Sequence, residues 1–204
     1  MEKTLKLRVL AYCSLALLAG AIVWTVRHRS TRGSVVALEK LGRAPEFHLI
    51  DQTGASFDSA DLIGKVWVAS FIYTSCPDVC PMLGAKMKRI AASMPAGDGF
   101  RMVSISVDPK KDTPQRMSRY ASDLGVTDPR WYFLTGKEAE IHDLVLHGFM
   151  LPDMHPNDKQ GEILHSPLLV LVDKKGQIRA YYNGLFEESV EQIQRAGGSL
   201  LAEK

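Results

Sequence analysis

Two of the chain's three cysteines, Cys76 and Cys80, stand four residues apart in "FIYTSCPDVCP" (71–81), and a proline follows each. Thiols at that spacing can share one soft cation, exchange with a foreign disulfide, or close on each other. A monovalent copper ion suits a thiolate pair because it prefers soft donors and accepts few of them. Zinc at a closed structural site takes four protein ligands, and only these two cysteines lie outside the apolar amino end. The spacing differs from the two-residue gap of common thiol oxidoreductases, which tilts the reading toward metal. If both cysteines lie in one helical turn, they share a face. If that turn opens a helix, backbone N–H groups and the helix dipole lower a thiol's pKa, which favours metal binding and thiol exchange alike. The plain alternative is a structural disulfide between Cys76 and Cys80, or two unconnected core cysteines.

A third ligand must come from elsewhere, and imidazole is the natural donor. Outside the amino end the histidines are His48, His142, His147, His155 and His165. His48 alternates within a strand-like run and His142 follows Ile141 in a helical pattern, so both read as ordinary surface or half-buried residues. His165, in "GEILHSPLLVLVD", directly precedes an apolar strand. The segment before it, "LHGFMLPDMHPNDKQGEILH", gathers His147, Met150, Met154 and His155. Thioethers suit monovalent copper, so this segment is an auxiliary candidate for a second ion, although loop methionines more often make adaptable apolar contacts.

The elements that must position these groups follow from periodicity. "PEFHLIDQTGASFDSADLIGKVWVASFIYTSCP" reads as a short strand, a Gly-containing turn, a brief segment led by Leu62, and a buried strand over 66–72. From Pro81 the apolar residues Leu83, Met87, Ile90 and Met94 recur at helical spacing. "RMVSISV" (101–107) is a second strand, and "DTPQ" supplies an Asp or Thr cap with proline in the first turn of a helix running to about Leu124. "RWYFLT" is a strand, and 138–146 a helix built on Ile141, Leu144 and Val145. "LLVLVDKKGQIRAYY" is a strand pair, with a last helix over about 187–195. This alternation predicts an α/β thioredoxin-like domain: a mixed, mostly parallel central sheet flanked by helices, with an antiparallel edge from the final hairpin. Such sheets place their sites at the carboxyl ends of the strands, where Cys76 and Cys80 fall.

Residues 9–26, "VLAYCSLALLAGAIVWTV", carry no charge and are flanked by Lys3, Lys6 and Arg8 before and Arg27, Arg29 and Arg32 after. That length just crosses a bilayer core and predicts one transmembrane helix, with Cys13 as an apolar filler. A cleaved signal peptide fits less well, because Trp24 and arginines stand where small residues belong. The expected organisation is a short tail (1–8), an anchor (9–26), a tether (27–40) and one domain (41–204). Basic residues on both sides specify orientation weakly. A short amino end kept inside puts the domain outside the cytoplasm, where disulfides are permitted. The lack of a long presequence favours a bacterial inner membrane with a periplasmic domain over a mitochondrial inner membrane. A net charge of +2, much of its basic part at the membrane end, excludes a nucleic-acid-binding surface.

Taken together, "TSCPDVCP", "VSISVDPKKDTPQ" and "LHSPLLVLVDKKGQIRAYY" make the chain resemble the Sco/SenC family over roughly residues 45 to 185. These are membrane-tethered thioredoxin-like copper proteins that assist assembly of the copper A centre of cytochrome c oxidase. The resemblance implies one Cu(I) or Cu(II) held by Cys76, Cys80 and His165, and a copper-binding oxidase subunit or another copper protein as partner. It also implies a thiol reductant. The family's acidic loop residue matches Asp108, for which a plain turn or cap role is the alternative. Many relatives have an aspartate just before the histidine, whereas this chain has Leu164. Pro167 stands where thiol oxidoreductases of this fold place a cis-proline. Both departures lean toward redox chemistry, so a thiol:disulfide oxidoreductase using Cys76 and Cys80 remains an alternative to a metallochaperone. A tethered binding module with a structural disulfide is the third reading.

Overall fold

A computed structural model of the protein describes residues 38–151 and 166–203. The predicted anchor and most of the tether lie outside these residues, as do Met154, His155 and His165. Among the described residues no helix is long and apolar enough to cross a membrane.

Six strands form the main sheet in the order β1 (Gly42–Arg43), β8 (Gln177–Asn183), β7 (Leu168–Val172), β4 (Val66–Ile72), β5 (Phe100–Ser106), β6 (Trp131–Leu134). Only the β4–β5 and β5–β6 ladders are parallel. β4–β7, β7–β8 and β1–β8 are antiparallel. The expectation of a mostly parallel sheet is therefore corrected. The terminal hairpin is not a simple edge addition, because β7 pairs directly with β4 and the two-residue β1 closes the outside of β8. A separate hairpin, β2 (His48–Ile50) with β3 (Ser56–Asp58), bridges to the end of β6 through Ile50 and Thr135. Strands as short as β1 and β3 carry too little periodicity to be read from sequence.

β4 is buried along its whole length, so its alternating side chains feed two cores. Val66, Val68 and Ile72 face α1 (Val79–Ser93), α2 (Pro114–Asp123) and α4 (Glu188–Ala202), meeting Leu83, Met87, Ile90, Met117 and Ile193. Trp67, Ala69 and Phe71 face the other layer, where α3 (Glu138–Asp143) and the β2–β3 hairpin contribute Ile141, Phe47, Leu49 and Phe57. On the first face Ser70 and Ser104 share a hydroxyl hydrogen bond of 2.7 Å, and the Trp131 indole N–H donates to Ser104 at 2.9 Å. The polar breaks in these buried strands therefore satisfy one another.

Thr113 caps α2 by accepting from the Arg116 N–H, with Pro114 in the first turn, as the sequence predicts. Two helices depart from expectation. The turn after α3 widens into a π-helical turn, Leu144–Gly148, which delivers Phe149 between Trp67 and Phe71. α4 runs through Gly197 and Gly198 instead of stopping near 195. A Cβ on Gly197 would lie 3.1 Å from Met94 Cε, so this glycine admits the side chain that follows α1 rather than ending the helix.

Candidate metal centre

β4 runs out at Ile72, and six residues, 73–78, carry the chain to α1. Cys76 lies in this loop, before the helix, whereas Cys80 is its second residue. The two thiols therefore do not meet through helical periodicity, contrary to the same-face expectation. They meet because the Cys80 backbone N–H donates to Cys76 Sγ at 3.3 Å. The Asp78 side chain leaves the helix uncapped, so the sulfur takes one of the N–H groups that open an α-helix unpaired. Both cysteines are buried free thiols, Cys76 at 6% exposure and Cys80 fully enclosed.

Their environments drive the two thiols apart. Burial pushes the Cys76 pKa up, but hydrogen bonds from the backbone and thiol of Cys80, the Asp78 N–H and the Tyr73 hydroxyl outweigh it and leave it below the ordinary thiol value. For Cys80, burial dominates, only the Tyr73 N–H opposes it, and the negative charge of Cys76 and Asp112 adds to the rise. The pair thus favours one thiolate at Cys76 and one protonated thiol at Cys80. A cation that binds both sulfurs must displace the Cys80 proton.

Asp112, a position the sequence offered only as a possible helix cap, holds the loop in place. Its carboxylate is fully buried and accepts from the Thr74 N–H at 3.0 Å, the Thr74 hydroxyl at 2.5 Å and the Ser106 hydroxyl at 2.7 Å. Arg116 Nε donates to Thr74 Oγ1 at 2.6 Å and lies 3.9 Å from Asp112. The thiol loop is therefore clamped to the β5–α2 turn two residues before Cys76. A buried acid inside a polar loop motif has no periodic signature, so only its partners reveal it. Asp108 has the turn role: its carbonyl accepts from the N–H groups of Lys111 and Asp112. Its carboxylate pairs with Lys111 at 3.0 Å without hydrogen-bond geometry.

Tyr120 of α2 closes the other side. Its hydroxyl is buried with no hydrogen-bond partner, and burial first, then the charge of Cys80, Cys76 and Asp112, raises its pKa. This orphaned donor beside two sulfurs was not foreseen from the sequence.

Among the described residues no three His, Cys, Asp or Glu side chains gather where they could hold one ion. His165, the expected third donor, lies outside them. The chain re-enters view at Ser166 and Pro167, joined by a trans peptide bond. Here Gly184 N–H donates to the Pro167 carbonyl at 2.8 Å. A Cβ on Gly184 would lie 2.2 Å from Leu83 Cδ2 and 2.8 Å from that carbonyl. Gly184 thus allows the strand leaving position 165 to pack beside Leu83, three residues after Cys80 on α1. The described members of the auxiliary segment go elsewhere. His147 pairs with Asp143 at 2.8 Å, and Met150 is exposed, with its Cε 3.6 Å from a Cβ position on Gly42. The π-helical turn that carries His147 and leads into Met150 packs in the core on the opposite face of the sheet from the thiols. His147 and Met150 are therefore not brought to Cys76 and Cys80. His48 pairs with Asp58 across the β2–β3 hairpin, as befits an ordinary surface histidine.

The chain's relatives share this architecture. The SCO1 protein homolog of Bacillus subtilis is 30% identical over 149 residues, covering 72% of this chain and 77% of that protein. The solved structure of BsSco, a member of the Sco family of cytochrome c oxidase assembly proteins in which a disulfide switch was identified, matches with a TM-score of 0.70 at 28% identity. The match covers 82% of this chain and 98% of that one. Bradyrhizobium japonicum ScoI, solved with copper bound, matches with a TM-score of 0.60 at 30% identity, over 76% of this chain and 99% of that one. The SCO1/SenC family model matches residues 37–196, which include both thiols, the Asp112 clamp and the strand after His165, and the chain belongs to that family.

Proposed function

We propose that this protein is a copper metallochaperone that holds Cu(I) between Cys76, Cys80 and His165 and passes it by ligand exchange to the copper A centre of cytochrome c oxidase. The observation that carries the reading is the buried thiol pair joined at 3.3 Å through the Cys80 N–H. Two soft sulfurs, one already biased toward thiolate, suit a monovalent soft ion. The copper held by a solved relative supports the choice of ion. His165 is two residues from Pro167, and two residues span at most about 7 Å. Pro167 in turn is tied to Gly184, which packs against Leu83 of α1, and this supports His165 as the third donor. We further propose that the domain faces the periplasm from a bacterial inner membrane, anchored by residues 9–26.

Reduced protein is expected to take up about one Cu(I), with two sulfurs and one nitrogen in its coordination shell by X-ray absorption. Stoichiometric copper retained by the Cys76→Ser, Cys80→Ser double variant would refute the site.

A second reading, thiol:disulfide exchange on the oxidase's own cysteines, is favoured by the split between the two thiols. Cys76 is the activated nucleophile, and Cys80 the buried partner that resolves a mixed disulfide. The disulfide switch identified in BsSco supports it. The two activities are alternatives in time, since oxidation removes the thiolates that copper needs. His165→Ala separates them: copper affinity falls while disulfide exchange survives. Equal loss of both would show that the roles are not separable.

A further inference from the structure

Beside the thiol loop lies a cleft of about 540 Å³ lined by Thr74, Thr113, Gln115, Arg116, Arg119, Tyr120 and Asp123. Its charged residues all come from α2. Arg116, Arg119 and Asp123 are spaced three and four apart, which aligns them on one helix face. Arg116 spends its Nε on Thr74. Arg119 and Asp123 are exposed, and among the described residues neither makes a hydrogen bond or an ion pair. The cleft thus presents the Arg119 guanidinium and the Asp123 carboxylate, which nothing among the described residues uses, beside an Arg116 that commits only its Nε. Its inner wall belongs to the thiol site: Thr74 is two residues from Cys76, and the Tyr120 hydroxyl is a buried donor without a partner.

Resting on the reading that Cys76 and Cys80 are the reactive pair, we propose that this cleft binds a small dicarboxylate thiol of the glutathione type and presents its sulfur to Cys76. The volume suits a tripeptide-sized molecule rather than a protein segment. The charges are complementary: two carboxylates meet Arg116 and Arg119, and the single ammonium meets Asp123. Cys76 is the slightly exposed residue of the pair and Cys80 the enclosed one, so attack falls on Cys76. The ligand thiolate bonds to Cys76 Sγ of the oxidised pair and the Cys76–Cys80 bond breaks. Its electron pair goes to Cys80 Sγ, which takes a proton from water. A second ligand thiolate then attacks the ligand sulfur of the mixed disulfide, forming the ligand disulfide and releasing Cys76 as thiolate. Two ligand thiols are oxidised and one protein disulfide is reduced. The cleft would thereby regenerate the form of the protein that copper requires.

Binding and reduction are tested separately. S-Methylglutathione, which cannot react, is titrated into the Cys76→Ser, Cys80→Ser protein and followed by amide chemical shifts. Shifts confined to 113–123 and Thr74 are expected, with affinity about tenfold weaker in Arg119→Gln and restored in part by Arg119→Lys. This arm contains no thiol pair, so its outcome is independent of the copper reading. In the second arm the oxidised wild-type protein is reduced by glutathione, by its diethyl ester, or by uncharged 2-mercaptoethanol. Arg119→Gln is expected to slow glutathione alone by about tenfold. The proposal is overturned if S-methylglutathione gives no localised shifts, if the diester reduces the protein as fast as glutathione does, or if Arg119→Gln slows all three thiols alike. Tighter binding of a thiol-free acidic peptide such as tetraglutamate would also overturn it, and would assign the cleft to a protein partner.

Discussion

Replacing Asp112 by asparagine tests whether the buried carboxylate holds the thiol loop. The side chain keeps its shape, so no cavity enters the comparison. The amide oxygen can take the place of Oδ2 and keep the Thr74 N–H and Ser106 hydroxyl as donors. The amide nitrogen then faces the Thr74 hydroxyl, which at present donates to Oδ1 at 2.5 Å while accepting from Arg116. That hydroxyl proton loses its acceptor inside the protein, and the two remaining bonds change from charge-assisted to neutral. A hydrogen bond to a buried charge contributes roughly 1.5–3 kcal/mol, so a net loss of about 2 kcal/mol is expected. For a domain of this size that lowers Tm by about 4–8 °C. Ser106→Ala removes one donor and leaves the carboxylate two others, so its cost should be about 1 kcal/mol. Calorimetry of the reduced, metal-free protein measures both. The loosened loop should also free Cys76 from the Cys80 N–H, visible as faster hydrogen exchange at Cys80. An Asp112→Asn protein that melts within a degree of wild type, with Cys80 exchange unchanged, would refute the clamp.

Two further outcomes follow from the same geometry. Rates of iodoacetamide modification measured against pH should give Cys76 a midpoint below the roughly 8.5 of a free thiol, while Cys80 stays unmodified in the folded protein. Modification of Cys80 first, or a Cys76 midpoint above that of free cysteine, would reverse the assignment of nucleophile and partner. Gly184→Ala sets a methyl group against Leu83 and the Pro167 carbonyl, so it should destabilise the protein by about 1–3 kcal/mol and weaken Cu(I) binding by shifting the strand that follows His165. Unchanged copper affinity in a demonstrably strained Gly184→Ala protein would count against His165 as a ligand.

Much of this protein is legible in its sequence because the signals are local. Periodicity in 66–72, 101–107 and 168–183 marks the central strands, since a strand buried on both faces must be apolar throughout and a half-buried one must alternate. "DTPQ" marks the start of α2, because a hydroxyl acceptor and a fixed proline φ are what an opening helix requires. The paired cysteines between a strand and a helix mark the chemistry. Pairing partners in space have no such local signal. Whether β7 lies beside β4 parallel or antiparallel depends on the chain's return path, and β1 is too short to announce itself. Gly184 and Gly197 carry no local signal of their use, which is to admit Leu83, Pro167 and Met94 at close range. Asp112 reads as no more than a possible helix cap until Thr74, 38 positions away, is found donating to it. The asymmetry of the two thiols was hidden for the same reason. A thiol's proton affinity is set by burial and by the donors around it, and those donors are assembled by the fold rather than by the four-residue spacing.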